Sequence, residues 1–242
     1  MIQVRELSKR FGSAVVVDGV SFDVRPGHVT GFLGPNGAGK TTTLRLILGL
    51  ARPSAGSARV DGHTYRQLRR PLQHVGVLLD ARAVHGGRTA ADHLRWLAQS
   101  NGIARSRVHE VLHMVGLEGV AGLRIRTFSL GMSQRLGVAA ALLGDPGVLL
   151  LDEPANGLDA EGIRWLRTLL RSLAAEGRTV LVSSHLMDEM ERTADHVVVI
   201  ARGRLVADAP IAQLAPHRGS LEDVYTMMVA DLIDHHGARR PR

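Results

Sequence analysis

Cysteine is absent from the 242-residue sequence, aromatic residues are scarce, and lysine is almost missing. The absence of cysteine excludes disulfide bonds and cysteine-ligated metal centres. Aromatic residues make up 3% of the chain, so its core has to consist mainly of aliphatic side chains. Only Lys9 and Lys40 are lysines among 30 lysine and arginine residues. Because arginine fills nearly every other basic position, a retained lysine indicates a place that needs its particular shape.

Long apolar runs are also lacking. No run reaches the roughly 18–20 apolar residues that a membrane-spanning helix needs, and the opening residues MIQVRELSKRFG lack the apolar stretch of a signal peptide. We therefore expect any contact with a membrane to be made through another molecule. The formal net charge of +7 is spread along the chain, and GARRPR is its compact basic run, so the charge by itself predicts no specific nucleic-acid site.

Apolar segments alternate along the chain between strand-like and helix-like patterns. VVVDGVSFDV gives a noisy strand pattern that we expect to break near Asp18-Gly19, and HVTGFL predicts a buried strand that ends at Gly34. Residues 89–144 show helical spacing, after which strands and helices alternate from VLLLD to HVVVIA. This order predicts an α/β fold whose parallel sheet is covered on both faces. SLEDVYTMMVADLIDHH predicts a terminal helix.

The residues from 34 to 42 read GPNGAGKTT and lie between a predicted strand and a predicted helix. Glycines let the backbone turn sharply, so that successive N–H groups and the start of the helix face one concavity that suits a polyphosphate. Lysine, a compact charge with three donors, fits inside such a loop better than the wide fork of arginine. We expect Lys40 to bridge two phosphates and Thr41 to offer its hydroxyl to Mg²⁺. The residues of this loop that we predict to bind the phosphates of a nucleotide are Gly34, Pro35, Asn36, Gly37, Ala38, Gly39, Lys40, Thr41 and Thr42.

Two later stretches supply acidic and basic groups at strand ends. VLLLDEP places Asp152 at the carboxyl end of a buried strand, the edge at which ligands of open α/β sheets bind. We expect Asp152 to hold Mg²⁺ through water and Glu153 to polarise the water that attacks a γ-phosphate. His185 follows the strand TVLVSS and is expected at the same edge, within reach of that phosphate.

The stretch FSLGMSQRLGVAAAL, residues 128–142, resembles the LSGGQ signature of the nucleotide-binding subunits of ABC transporters, followed by their QRL motif. Ser129, Leu130, Gly131 and Met132 stand at the signature positions. The motifs also follow the order of that family. The resemblance implies a P-loop NTPase with a RecA-like parallel sheet core, an N-terminal antiparallel β subdomain and a helical subdomain inserted at about 83–144. It implies an ATPase domain over 1–215, with a C-terminal helical extension and basic tail over 216–242.

The resemblance also implies ligands and partners. ATP and Mg²⁺ would bind, and the signature of one subunit would complete the ATP site of a second, in a homodimer or a heterodimer. Phe11 matches the aromatic residue that stacks on adenine, and Asp159 in ANGLD matches the D-loop residue that faces the second subunit. A separate integral membrane permease would place the chain at the cytoplasmic face of the membrane. The tail SLEDVY resembles that of bacterial drug-exporter and antibiotic-exporter ATPases, and no specific nucleic acid is expected.

Two departures from the family pattern affect the expected chemistry. Asp80 stands where most members have a glutamine that senses Mg²⁺ and the attacking water. We assign Asp80 both a catalytic and a metal-binding role, because a carboxylate can bind metal-linked water, although its reach is shorter. Leu130 stands where the signature usually has glycine, and Met132 stands where it has glycine or glutamine. We expect the backbone contacts of the signature to survive, whereas the side-chain contact of a glutamine would be lost.

Three alternatives differ in function. A soluble ABC ATPase acting on the ribosome or on nucleic acid would fit the positive charge, but such proteins usually carry two cassettes, coiled-coil arms or zinc cysteines. An unrelated P-loop kinase or GTPase would lack the signature between its two acidic motifs. An importer ATPase often carries a regulatory C-terminal domain, whereas only about 27 residues follow Ala215 here.

Overall fold

The computed structural model describes residues 1–214 together with Asp223 and Tyr225. The predicted terminal helix lies outside the described residues except at those two positions, as does the extension over 216–242. The domain limits at 215 and at 83–144 therefore stay predictions. Within the described part, no helix is long and apolar enough to cross a membrane.

Strands and helices alternate through most of the described chain. The strands are β1 (Ile2–Phe11), β2 (Ala14–Val24), β3 (Val29–Leu33), β4 (Ala55–Val60), β5 (Val75–Leu78), β6 (Val148–Asp152), β7 (Thr179–Ser184), β8 (His196–Ala201) and β9 (Arg204–Pro210). The α-helices are α1 (Lys40–Ile47), α2 (Ala90–Ser100), α3 (Ser106–Met114), α4 (Leu130–Leu142), α5 (Ala160–Ala175), α6 (Met187–Thr193) and α7 (Ile211–Leu214).

These strands form two sheets. The smaller sheet has the order β2-β1-β4 and is antiparallel. The larger has the order β5-β6-β7-β3-β8-β9, and its first five strands run parallel while β9 pairs antiparallel at the edge. Every residue of β3, β6 and β7 is buried, as expected for strands covered on both faces. One apolar cluster joins this sheet to the helices α2–α6, and another joins it to α1 and the antiparallel sheet.

The expected break near Asp18-Gly19 is wrong, because β2 runs through these residues as one strand. Gly19 has φ +63°, and the pairing of β2 with β1 shifts its register on either side of this position. Such a bulge adds a residue to one strand and reverses the phase of the side chains that follow. Val17 is accordingly buried before the bulge, and Val20 and Phe22 after it, which explains the noisy apolar pattern.

The helices α2, α3 and α4 form a helical layer that is attached closely to the sheet. A Cβ atom on Gly137 of α4 would lie 2.5 Å from Leu78 Cδ1, and one on Gly76 of β5 would lie 2.1 Å from the carbonyl oxygen of Ala141. These glycines therefore let α4 and β5 pack at short range. Trp165 of α5 donates its Nε1 hydrogen to the carbonyl of Met114 at 3.1 Å, which ties the helical layer to α5.

Candidate functional site

The glycine-rich loop between β3 and α1 has a backbone that only glycine can adopt at two points. Gly34 has φ +155° and Gly39 has φ +105°. A Cβ atom on Gly34 would lie 2.3 Å from the carbonyl oxygen of Ile200, and one on Gly39 would lie 2.7 Å from that of Val16. The loop is therefore held between β2 and the end of β8. The first N–H groups of α1, which lack partners within a helix, are the donors that such a loop offers to a phosphate.

Lys40 is buried inside this loop, with 6% of its surface exposed. Its Nζ donates to the carbonyl oxygen of Gly34 at 2.6 Å and to that of Pro35 at 3.3 Å. The same nitrogen lies 3.2 Å from Glu153 Oε1 as an ion pair. A flexible stem with a compact charge reaches this enclosed position, which accounts for lysine in a chain otherwise rich in arginine.

Asp152 is anchored from both sides at the end of β6. Thr41 donates its hydroxyl hydrogen to Asp152 Oδ2 at 2.6 Å, and Ser183 donates to Asp152 Oδ1. Hydroxyl and carboxylate oxygens are ligands that Mg²⁺ accepts, usually together with substrate phosphates and water. Thr41 and Asp152 therefore fit a magnesium ion that a bound nucleotide would share. Among the described residues, no group of three or more histidine or acidic side chains is placed to hold a metal by itself.

Glu153 contacts Lys40 of α1, Ser183 of β7 and His185 in the loop after β7. Its backbone has φ +49°, an unusual conformation for a residue with a side chain, and its N–H bonds to the hydroxyl of Ser183 at 3.0 Å. Its Oε2 lies 2.7 Å from Nδ1 of His185. Its Oε1, buried beside Lys40, makes no hydrogen bond with any described residue. The carboxylate thus lies next to the phosphate loop, with Oε1 facing Lys40 and Oε2 facing His185.

Asp80 lies at the same edge, two residues after β5. Its Oδ1 accepts the backbone hydrogen of Arg82 at 2.8 Å. Asp80, Asp152 and Glu153 line one cleft of about 370 Å³, together with Gln134 from α4. The structure therefore brings the three predicted acidic residues around a single space.

The signature residues lie at the start of α4. Ser129 caps this helix, and its hydroxyl oxygen accepts the N–H of Met132 at 3.1 Å. Leu130 is 37% exposed, and Gly131 lies close to Gly157, whose carbonyl oxygen would be 3.0 Å from an added Cβ. The signature is accessible to a second molecule. Its binding of ATP in trans stays a prediction.

Two predicted residues lie apart from the phosphate loop contacts. Asp159 caps α5 by accepting the N–H of Gly162 at 2.7 Å, so its carboxylate has a role within its own helix. Phe11 is 54% exposed at the end of β1, and the Nζ atom of Lys9 lies 4.8 Å from its ring centroid. Contact of Asp159 with a second subunit and of Phe11 with adenine stay predictions.

The sequence analysis missed Ser183. It pairs in register with Asp152 across neighbouring parallel strands. Its hydroxyl donates to Asp152 Oδ1 and accepts the backbone N–H of Glu153. The available signal was the pair of serines that ends the apolar strand TVLVSS.

A larger cavity of about 550 Å³ lies at the opposite edge of the sheet, near Thr30 and His196, and contains none of the predicted site residues.

Comparison with known proteins gives a consistent result. Residues 17–156 match the family described as ABC transporter. The bacitracin transport ATP-binding protein of Bacillus licheniformis is 40% identical over 217 residues, which cover 88% of this chain and 71% of that protein. The Nod factor export ATP-binding protein I of Burkholderia orbicola is 41% identical over 221 residues, which cover 89% and 71%. A solved structure of the ATP binding subunit of an ABC transporter superposes with a TM-score of 0.85 at 26% identity, covering 95% of this chain and 99% of that one.

The family match includes more than half of the chain, and it contains the phosphate loop, the signature helix, Asp152 and Glu153. The structural match confirms the predicted P-loop NTPase fold, with its antiparallel sheet and its mostly parallel core. The chain belongs to the ABC transporter family, as a subunit that binds and hydrolyses ATP.

Proposed function

We propose that two ATPase subunits pack head to tail around two ATP molecules, each bound between the phosphate loop of one subunit and the signature of the other. The observation that carries this proposal lies at one sheet edge, where Lys40 and His185 both contact Glu153. Thr41 bonds to the neighbouring Asp152 at the same edge. The signature lies on a different, accessible helix end. Two copies related by a twofold axis can bring these two surfaces together at two equivalent sites.

Each residue at the sheet edge then has a role in hydrolysis. The loop N–H groups and Lys40 bind the β- and γ-phosphates, while Thr41, Asp152 and Asp80 would hold Mg²⁺, which neutralises developing charge on the phosphates. Glu153 takes a proton from water as the water oxygen attacks the γ-phosphorus, and the bond to ADP breaks. His185 holds the Glu153 carboxylate in place through its 2.7 Å contact.

The contact between Lys40 and Glu153 suggests how ATP prepares the site. The ammonium lies 3.2 Å from Glu153 Oε1, and the triphosphate is a more highly charged partner for the same ammonium. Binding of ATP therefore draws Lys40 to phosphate and leaves the carboxylate able to accept a proton from water. This exchange couples the arrival of the substrate to the activation of the base.

The closing and opening of the dimer would drive a separate membrane permease, which places this chain at the cytoplasmic face of the membrane. Export is the direction that we propose, since a relative 41% identical is a Nod factor export ATP-binding protein. A bacitracin transport ATP-binding protein is 40% identical. These names indicate small secreted or antibiotic-like molecules as the class of cargo.

Substitution Glu153→Gln tests this proposal. The amide cannot accept the proton from water, so we expect ATP turnover to fall at least about a hundredfold while ATP still binds. Gel filtration with ATP and Mg²⁺ should then show a dimer that wild type does not accumulate. Glu161→Gln, at an exposed position in the first turn of α5, is the matched control and should hydrolyse ATP as wild type does.

The Glu153→Gln dimer that ATP holds together also tests whether the chain binds a membrane permease. When it is captured with ATP from gently solubilised membranes of its own cells, a multi-span membrane protein should accompany it in roughly equal amount. Capture of ribosomal or DNA-bound proteins without a membrane protein would contradict the transport role.

In the turnover experiment, ATP hydrolysis by Glu153→Gln at the wild-type rate would contradict the assignment of Glu153 as the base.

A further inference from the structure

Gln134 is a buried polar residue that none of the roles above uses. It lies in α4, two turns before the helix ends, and 8% of its surface is exposed. Its side-chain oxygen is buried and makes no hydrogen bond with any described residue. An unpaired buried polar group costs stability, so its presence in a folded protein points to a ligand, an ordered water or a function.

The packing of α4 fixes where this side chain lies. Gln134, Gly137 and Ala141 follow one another at helical spacing and so share one face of α4. Gly137 and Ala141 are the positions at which α4 meets β5 at short range. Gln134 therefore lies toward the carboxyl end of β5, which leads directly to Asp80.

Gln134 lines the cleft that also contains Asp80, Asp152 and Glu153. A volume of about 370 Å³ is large enough for several ordered waters, and the polar groups in the walls are the partners that such waters need. The side-chain oxygen of Gln134 is a buried acceptor of this cleft that lacks a hydrogen bond among the described residues. Oε1 of Glu153 lies 3.2 Å from Lys40 Nζ, and its second lone pair can accept a further hydrogen bond. A water molecule has two hydrogens to donate, and each of these oxygens can receive one.

We propose that Gln134 is a positioning residue for hydrolysis. Its amide anchors ordered water in the cleft, and this water holds Asp80 and Glu153 in the arrangement that activates the attacking water. The inference rests on the proposed ATPase mechanism. Gln134 supplies its amide to the cleft of Asp80 from the neighbouring helix α4.

The test compares Gln134→Met with wild type in steady-state ATP hydrolysis, nucleotide binding and thermal unfolding. Methionine keeps the length and volume of the side chain and removes its hydrogen bonding. We expect kcat to fall at least about tenfold, with KM and the Kd for ATP within about twofold of wild type. We expect Tm to stay equal or rise, because an apolar side chain replaces one whose buried oxygen has no hydrogen-bond partner in the described protein. Gln99→Met, at an exposed position of α2, is the matched control and should leave kcat unchanged.

A structural role for Gln134 predicts the opposite result. Tm would then fall, or the variant would fail to fold, while kcat per folded molecule would stay at the wild-type value, and any of these outcomes overturns the proposal. A double-mutant cycle with Asp80→Ala provides a second measurement. If both residues act through shared water, their losses in kcat should be less than multiplicative, and fully multiplicative losses would count against the proposal.

The same series separates this inference from the mechanism on which it rests. If wild type turns over ATP, Glu153→Gln does not, and Gln134→Met shows a normal kcat, then the proposed role of Gln134 alone is overturned. Turnover that is insensitive to Glu153→Gln would overturn the proposed mechanism and the role of Gln134 with it.

Discussion

At the scale of the residue, the ion pair between Lys40 and Glu153 links substrate binding to stability. Both side chains are largely buried, so removal of one charge leaves the other with a desolvation cost. Lys40→Met should therefore weaken ATP binding and also lower the free energy of unfolding without nucleotide by about 1 kcal/mol. That change corresponds to about 2–4 °C in Tm for a domain of this size.

The double variant Lys40→Met with Glu153→Gln distinguishes this cause from a packing defect. Its Tm should lie above that of Lys40→Met, because the uncompensated carboxylate is gone. Thermal melts of the two variants and wild type, recorded in a buffer without nucleotide, give the comparison. A double variant that melts lower than Lys40→Met would show that the ion pair is not what the lysine substitution removes.

At the scale of the element, α2 contains a histidine that should make the helical layer sensitive to acid. His93 is 7% exposed, and its Nδ1 makes no hydrogen bond with a described residue. Burial, and secondarily the charge of Arg88, lowers the pKa of His93 below its ordinary value of 6.5. The unfolded chain therefore takes up a proton at a higher pH than the folded chain, and the free energy of unfolding falls as the pH drops below about 6.5.

Substitution His93→Gln removes this titration while keeping a neutral polar side chain. Urea unfolding at a series of pH values from 7.5 to about 5 should show a smaller loss of stability for His93→Gln than for wild type. His109→Gln, at an exposed position of α3, should retain the wild-type pH dependence. Equal slopes for wild type and His93→Gln would mean that His93 is not buried in its neutral form.

The elements also show what the sequence can and cannot predict. The phosphate loop and the acidic strand end are local patterns, so their positions at one sheet edge follow from the rules of parallel sheets. The bulge at Gly19 was missed because one added residue mixes both side-chain phases in an apolar strand. Ser183 was missed, and Gln134 was identified only as part of a motif, because the contacts of both side chains come from neighbours in space. Helix α4 meets β5 only once the chain has folded.

At the scale of the whole molecule, the proposed head-to-tail dimer would complete each ATPase site with residues of a second chain. The groups that bind phosphate and activate water lie around Glu153, whereas Ser129 begins a different helix and is exposed. A head-to-tail dimer would assign these two halves to different chains. Two inactivating substitutions in opposite halves of the site should then leave one intact site in a mixed dimer and restore ATP hydrolysis. Two substitutions in the same half should not.

This rule predicts the outcome of mixing two inactive variants. Ser129→Arg blocks the signature and keeps the phosphate loop, whereas Lys40→Met has the reverse defect. A mixed dimer of the two contains one intact site, so an equal mixture should recover up to about a quarter of wild-type turnover on random pairing. Lys40→Met mixed with Glu153→Gln is the control, because both lesions lie in the same half and no pairing restores a site. Recovery in both mixtures, or in neither, would contradict a site shared between chains, whereas recovery in the first alone requires that each ATP be hydrolysed between two subunits.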